Sequence, residues 1–196
     1  MPRIEPLSAP YEQPVAHYLA ATMPPGQEPI KLFRTLAVNL EMASAMIPWA
    51  RHELGRSLAI SLREREIVID RTCALCGCEY EWGVHVARFG QRADLSQAQV
   101  RSLAFGSAAD PCWDSEAERL LIRVADELHE RSDVSSGLWH DLTHHYSHAQ
   151  LLDIVMLCGW YHAISFVGNA SGVGLEPGAP TFADCAAAPV ERPPAG

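Results

Sequence analysis

The sequence predicts an all-α fold. Apolar residues recur at three- and four-residue spacing over most of its length, and Ser-led helix starts punctuate that pattern. Nowhere do four or more residues alternate cleanly between apolar and polar, as a half-buried strand would. Ahead of Ile30 stand Pro2, Pro6, Pro10, Pro14, Pro24, Pro25 and Pro29, a spacing that denies long helices, so residues 1–28 read as an arm with one short helical stretch near 14–21. Leu32, Leu36, Leu40 and the run from Met42 to Ile47 continue one helical pattern from about Pro29 to Leu54. Ser61-x-x-Glu64 is a capping-box signature, and the apolar run through Ile67, Val68 and Ile69 follows it. Gly77 interrupts, and a further helix is expected from about Glu79 to Gly90.

Beyond it, 96–105 makes a short helix, and Asp114 or Ser115 caps the next, whose Leu120, Leu121, Val124 and Leu128 share one face. Val134-Ser135 opens another to about Tyr146. Ser147 caps a long apolar helix through Asn169. These elements make a single helical domain over 29–178, followed by an irregular tail over 179–196.

Composition narrows the function. The chain has 196 residues, 48% of them hydrophobic, enough for a buried core. Its 15 basic and 24 acidic side chains leave a net charge of −9, the wrong sign for a nucleic-acid partner. No stretch approaches the roughly 18 uninterrupted apolar residues of a membrane span. The apolar run from Ile154 to Cys158 and onward is broken by Gly159, His162 and Ser165. The N-terminus lacks the apolar core of a signal peptide, so a cytoplasmic protein is expected, with no membrane partner. Six cysteines are too sparse for a disulfide scaffold, and Cys73, Cys76 and Cys78 crowd together.

The segment from Glu66 to His85 concentrates the reactive groups. With Cys78 near a helix start, Cys78, Glu81 and His85 fall at i, i+3 and i+7 on one face, and Glu81 reaches His85 at i, i+4. A helix N-terminus favours the Cys78 thiolate, whereas the Glu81 charge opposes it and favours protonated His85. The pattern is a better acid–base pair than a nucleophile. Zinc suits Cys73, Cys76, Cys78 and His85 by ligand type. Structural zinc sites, however, set a Cys pair against a second, distant pair, so no metal is expected. No Gly-rich phosphate loop or dinucleotide fingerprint is present, so no organic cofactor is expected either. The row His140, His144 and His148 is broken by the helix start at Ser147 and reads as a solvated face.

This segment resembles the core of the carboxymuconolactone decarboxylase and alkylhydroperoxidase D superfamily. In the peroxidase branch a Glu stands at i−12 from the first Cys of Cys-x-x-Cys-x-x-x-His. Here Glu66 holds that place relative to Cys78, His85 matches the relay histidine, and Glu81 replaces the second cysteine. The stretches Leu32-Phe33-Arg34-Thr35-Leu36, Ala125-Asp126-Glu127-Leu128-His129, Leu151-Leu152-Asp153-Ile154-Val155-Met156 and Asn169 through Gly178 are also similar to that family.

The resemblance implies catalytic roles for Glu66, Cys78, Glu81 and His85. It points to a carboxymuconolactone decarboxylase-like enzyme acting on a small organic acid or lactone, with His85 as general acid, Glu81 orienting it and Glu66 behind them. The rival is a thiol-dependent hydroperoxidase in which Cys78 is oxidised and Cys76 or Cys73 resolves it. A non-catalytic binding or assembly protein is the third reading. Tyr80, Trp82, Arg71, Arg88 and His162 are candidate pocket residues, the two arginines as cations for an anionic substrate. The resemblance also implies a homo-oligomer, whether dimer, trimer or hexamer.

Overall fold

The computed structural model describes residues 1–24 and 26–187. Ten α-helices and no strand are present among these residues: α1 (Gln13–Thr22), α2 (Lys31–Leu36), α3 (Leu40–Glu53), α4 (Leu62–Leu75), α5 (Glu79–Phe89), α6 (Gln97–Phe105), α7 (Glu116–Arg131), α8 (Ser136–Thr143), α9 (His148–Ser171) and α10 (Phe182–Ala187). The single helix expected from Pro29 to Leu54 is two. A 3-10 turn over Ala37–Asn39 separates α2 from α3, and the Asn39 side chain accepts from the Met42 amide to cap the second. The helix opened by Ser135 ends at Thr143, short of Tyr146. In the tail read as irregular, residues 182–187 form α10, while 188–196 lie outside the described residues.

α4 is the axis of the bundle and packs against α5, α6, α7 and α9. Every residue from Arg65 to Cys73 is buried, so this helix has no solvent face at its centre. Burying Ile67, Val68 and Ile69 contributes about 1.5–3 kcal/mol each. The same burial forces the arginines on α4 to find partners. Arg71 reaches Asp126 on α7 at 2.6 Å and the carbonyls of Leu103 and Gly106 at 3.0 and 3.1 Å. The capping box at Ser61 and the cap at Ser147 form as the sequence predicts, the latter as a full box with Gln150, and Ser96 with Gln99 adds a third box.

α4 and α5 make a tight helical hairpin. Its turn runs through Cys76, Gly77 and Cys78, with Gly77 at φ +60, a left-handed conformation that costs glycine little. The Cys78 amide bonds the Cys73 carbonyl at 2.8 Å and closes the turn. α9, 24 residues long, is long and apolar enough to cross a membrane by length and composition, yet half of its most apolar window is packed inside the bundle. At Gly168 it closes on the hairpin turn: a Cβ there would stand 3.2 Å from the Cys78 thiol.

The arm is tied down at both ends. The Arg3 and Ile4 amides donate to the Ser171 carbonyl at the end of α9, and α1 buries Tyr18 and Leu19. Further along, Glu176 accepts from the Lys31 amide at 2.5 Å and from the Tyr80 hydroxyl at 2.7 Å. These contacts lay α1, α2 and α3 over the flank of α5, where they wall a cavity.

Candidate active site

The site is a chain of buried polar groups running from α4 to α9. Arg65 lies against its neighbour Glu66, with Nε 2.7 Å and Nη2 2.6 Å from Oε1. Glu66 Oε2 is 2.8 Å from His85 Nδ1, so that nitrogen donates its proton to the carboxylate. The other ring nitrogen, Nε2, is left to accept from the Tyr161 hydroxyl at 2.9 Å. Burial, with the Glu81 and Glu66 charges behind it, holds the Tyr161 phenol well above its ordinary range, so the phenol keeps its proton and serves as donor. Glu81 Oε2 stands 3.8 Å from His85 Nε2. The ring of His85 meets Tyr161 edge-on, centroids 5.0 Å apart.

The expected roles of the two carboxylates change. Glu81 shares a helix with His85, but Glu66, on the preceding helix and across the hairpin, makes the short hydrogen bond that fixes the imidazole. Glu81 is left without a strong partner: its Oε1 is buried and unbonded. Burial raises the Glu81 carboxyl above its usual range, and the nearby His85 ring and Arg88 guanidinium offset only part of that rise. A carboxyl so placed holds a proton more readily than an ordinary glutamate.

Glu81 and His85 lie on the wall of a cavity of about 380 Å³, within the size of small-ligand pockets. Most of its lining is apolar, from Ile30, Leu32, Phe33, Leu36, Met46, Ile47, Val84 and Trp160. Arg51 and Arg88 bring the cations, and Tyr161 also lines the cavity.

Of the candidate pocket residues, Arg88 alone lines this cavity. Arg71 is on the far side of α4, consumed by Asp126. Tyr80 spends its hydroxyl on Glu176 and the Leu32 amide and acts as a pin. Trp82 is fully buried and packs against Phe182, ring centroids 4.9 Å apart and planes tilted by 43°. His162 faces His129, with ring nitrogens 3.0 Å apart.

Cys78 is also displaced from its expected place. As the residue that caps α5, it has non-helical dihedrals (φ −89, ψ 77), so its side chain leaves the Glu81–His85 face and lies against Gly168 of α9. It is fully buried and does not line the cavity. Burial pushes its thiol up, and the offsets from the Glu81 amide and the Ser165 hydroxyl do not undo this. Cys73 and Cys76 are raised for the same first reason. The buried Ser165 hydroxyl makes no well-formed hydrogen bond but lies near enough to all three thiols to ease them slightly downward. All six cysteines are free.

Sequence reasoning missed Arg65 and Tyr161 as members of this chain. Arg65 had a signal, its adjacency to Glu66; Tyr161, far along the sequence from His85 on α9, had none.

The family model described as carboxymuconolactone decarboxylase family matches residues 43–127, a span that contains Glu66, Cys78, Glu81 and His85. No curated protein matches the sequence. Among solved structures, the chain is similar to an uncharacterized peroxidase-related protein from Silicibacter sp. TM1040. The identity is 17%, the coverage 90% of this chain and 94% of that one, and the TM-score 0.75. It is also similar to a cysteine-to-alanine variant of the debrominase Bmp8 in complex with 2,3,4-tribromopyrrole. That match has 16% identity, covers 89% and 91% of the two chains, and has a TM-score of 0.68. At these identities the likeness establishes the fold. The family match runs through the site itself, so residues 43–127 are similar to the carboxymuconolactone decarboxylase family, and the chain has the all-α fold of these two structures.

Proposed function

We propose that this protein is an acid–base enzyme of the carboxy-lyase kind, acting on a small organic acid or lactone held in the 380 Å³ cavity. One observation carries the reading: Glu81 and His85 are the acid–base groups on the cavity wall, while Cys78 is buried away from it. The apolar lining suits the body of a small conjugated acid, and Arg88 suits its carboxylate. As the bond to the departing carboxylate breaks, CO2 leaves and the electron pair moves into the substrate's own conjugated carbonyl. Glu81 then gives its proton to the carbanionic carbon; a solvent proton restores it by way of His85 Nε2, 3.8 Å away, which takes that proton on the lone pair that the Tyr161 hydroxyl gives up and passes it to Glu81. Glu66 and Arg65 hold the imidazole in the tautomer that keeps Nε2 an acceptor, for the Tyr161 hydroxyl at rest and for the exchanging proton during turnover. The electron sink belongs to the substrate, so these side chains suffice for the step.

The hydroperoxidase alternative asks for a reactive thiolate, and burial works against one at Cys78. A homo-oligomer forms part of the same proposal. Exposed Leu152, Met156 and Phe166 share the outer side of α9 and suit a contact with a second copy.

The test is CO2 release from a panel of β-oxo and conjugated unsaturated carboxylates and carboxylactones. Wild type is expected to turn over at least one member, and Glu81→Gln to lose about 10²–10⁴-fold. A panel on which wild type releases no CO2, or on which Glu81→Gln keeps full rate, overturns the proposal.

A further inference from the structure

We propose that Cys76, His129 and His162 form a site for one borderline transition-metal cation of the zinc class, separate from the cavity that holds Glu81 and His85. The three residues come from three helices: Cys76 caps the end of α4, His129 lies in the last turn of α7, and His162 is in the middle of α9. His129 Nδ1 is 3.0 Å from His162 Nε2 and 4.0 Å from Cys76 Sγ, and all three ligand atoms lie within 4.8 Å of one another. A tetrahedral zinc ion with ordinary bond lengths spaces two imidazole nitrogens about 3.3 Å apart and sulfur about 3.6 Å from each. Adjustments of a few tenths of an ångström to about 1 Å, within the reach of side-chain rotation, bring the trio to that geometry.

The tautomer is already set for one ligand. His162 Nδ1–H donates to the Cys158 carbonyl at 2.8 Å, which leaves the Nε2 lone pair directed at His129 and Cys76. A backbone carbonyl holding the far nitrogen of a metal-bound histidine is the usual support for such a ligand. His129 Nδ1 then supplies the proton of the contact between the two rings. On binding, that proton passes to His129 Nε2, the Cys76 thiol releases its proton to solvent, and the cation takes one thiolate and two imidazoles. No electron is transferred.

Electrostatics support a cation at this point. Cys76 and His129 both sit at helix C-termini, where backbone carbonyls present partial negative charge. The Asp126 and Glu130 carboxylates act on His129 from its own helix. The nearby Arg71 charge is met by Asp126 at 2.6 Å. His129 is exposed, and Cys76 and His162 are half-buried, so an ion can enter from solvent and keep water in a fourth position. One sulfur and two nitrogens select zinc-class ions over magnesium or calcium, which want oxygen.

The experiment uses the full chain, reduced and stripped of metal, titrated with Co(II) as a spectroscopic stand-in for Zn(II). The expected result is one Co(II) per chain with a thiolate-to-cobalt charge-transfer band and intense tetrahedral visible bands, displaced by one equivalent of Zn(II) and untouched by Mg(II). Cys76→Ser is expected to abolish the charge-transfer band, and His162→Ala and the exposed-site variant His129→Gln each to weaken binding about 100-fold or more. Cys73→Ser is expected to leave the band intact. No band with wild type, a band that survives Cys76→Ser, or a band lost in Cys73→Ser overturns the site. His129→Gln keeps the test valid if a more buried variant fails to fold.

Discussion

Glu66→Gln removes the charge at the centre of the polar chain, and its cost can be worked from the contacts. Glu66 is fully buried and its two oxygens serve two partners, Arg65 at 2.6 and 2.7 Å and His85 at 2.8 Å. The Arg65 side chain is only 8% exposed, so water cannot replace the lost carboxylate. Its other contacts are the Leu54 carbonyl at 3.2 Å and the Phe89 ring, 4.9 Å from the guanidinium carbon. Breaking a buried ion pair by removing one partner costs about 3–5 kcal/mol, because the other charge stays behind unpaired. For a domain of this length each kcal/mol lowers Tm by about 2–4 °C, so the variant should melt about 6–20 °C below wild type.

Urea unfolding at constant slope is the assay, with Arg65→Met/Glu66→Leu as the control. Removing both charges together should recover much of the loss, since the penalty lies in the orphaned partner and not in the absence of the pair. A Glu66→Gln variant within about 1 kcal/mol of wild type, or a double variant less stable than either single one, would refute this account of the buried chain.

Two further predictions concern stability. Asp70 is fully buried with both oxygens unbonded, and burial together with the Glu66 charge holds its carboxyl well above the ordinary range. The native state therefore keeps a proton that the unfolded chain gives up near pH 4, and stability falls as pH rises from there through the native pKa. Asp70→Asn should be more stable than wild type at neutral pH by about 1.4 kcal/mol for each pH unit between the unfolded and native pKa, with the gap closing below about pH 4. A gap that is flat with pH, or of opposite sign, contradicts it. Gly83 and Gly159 form a matched pair. A Cβ at Gly83 would stand 2.5 Å from the Pro180 carbonyl oxygen, so Gly83→Ala should cost about 1–3 kcal/mol. At Gly159 nothing lies within 4 Å, so Gly159→Ala in α9 should gain up to about 1 kcal/mol. Equal effects in urea unfolding would show that the packing of the 178–182 segment on α5 is misplaced.

What was legible in the sequence was local. The caps at Ser61, Ser115 and Ser147 depend on groups three residues apart, so the residues that start these helices are read from the chain itself. The break at Ala37–Asn39 has no glycine or proline to announce it, and Pro48 inside α3 would have suggested the wrong place. The residues of the site were visible as types, but their pairing was not. Spacing at i, i+4 made Glu81 the natural partner of His85, whereas the hairpin turn at Gly77 brings Glu66 closer. The start of α5 at Glu79, where the sequence places it, makes Cys78 a cap, and a cap leaves the helical face that a first-turn residue would share with His85. Tyr161 and the His129–His162 pair depend on how α9 lies across the bundle, and no local pattern encodes that.

In the proposed function the chemistry resides on Glu81 and His85 in the cavity and not on the thiols. The most direct measurement is the rate of CO2 release by His85→Asn and by Cys78→Ser on whichever acid of the panel wild type turns over best. The expected result is a loss of about 10²–10⁴-fold for His85→Asn and a rate within about threefold of wild type for Cys78→Ser. The reverse pattern, with Cys78→Ser dead and His85→Asn active, would contradict it and place the reaction at the hairpin turn.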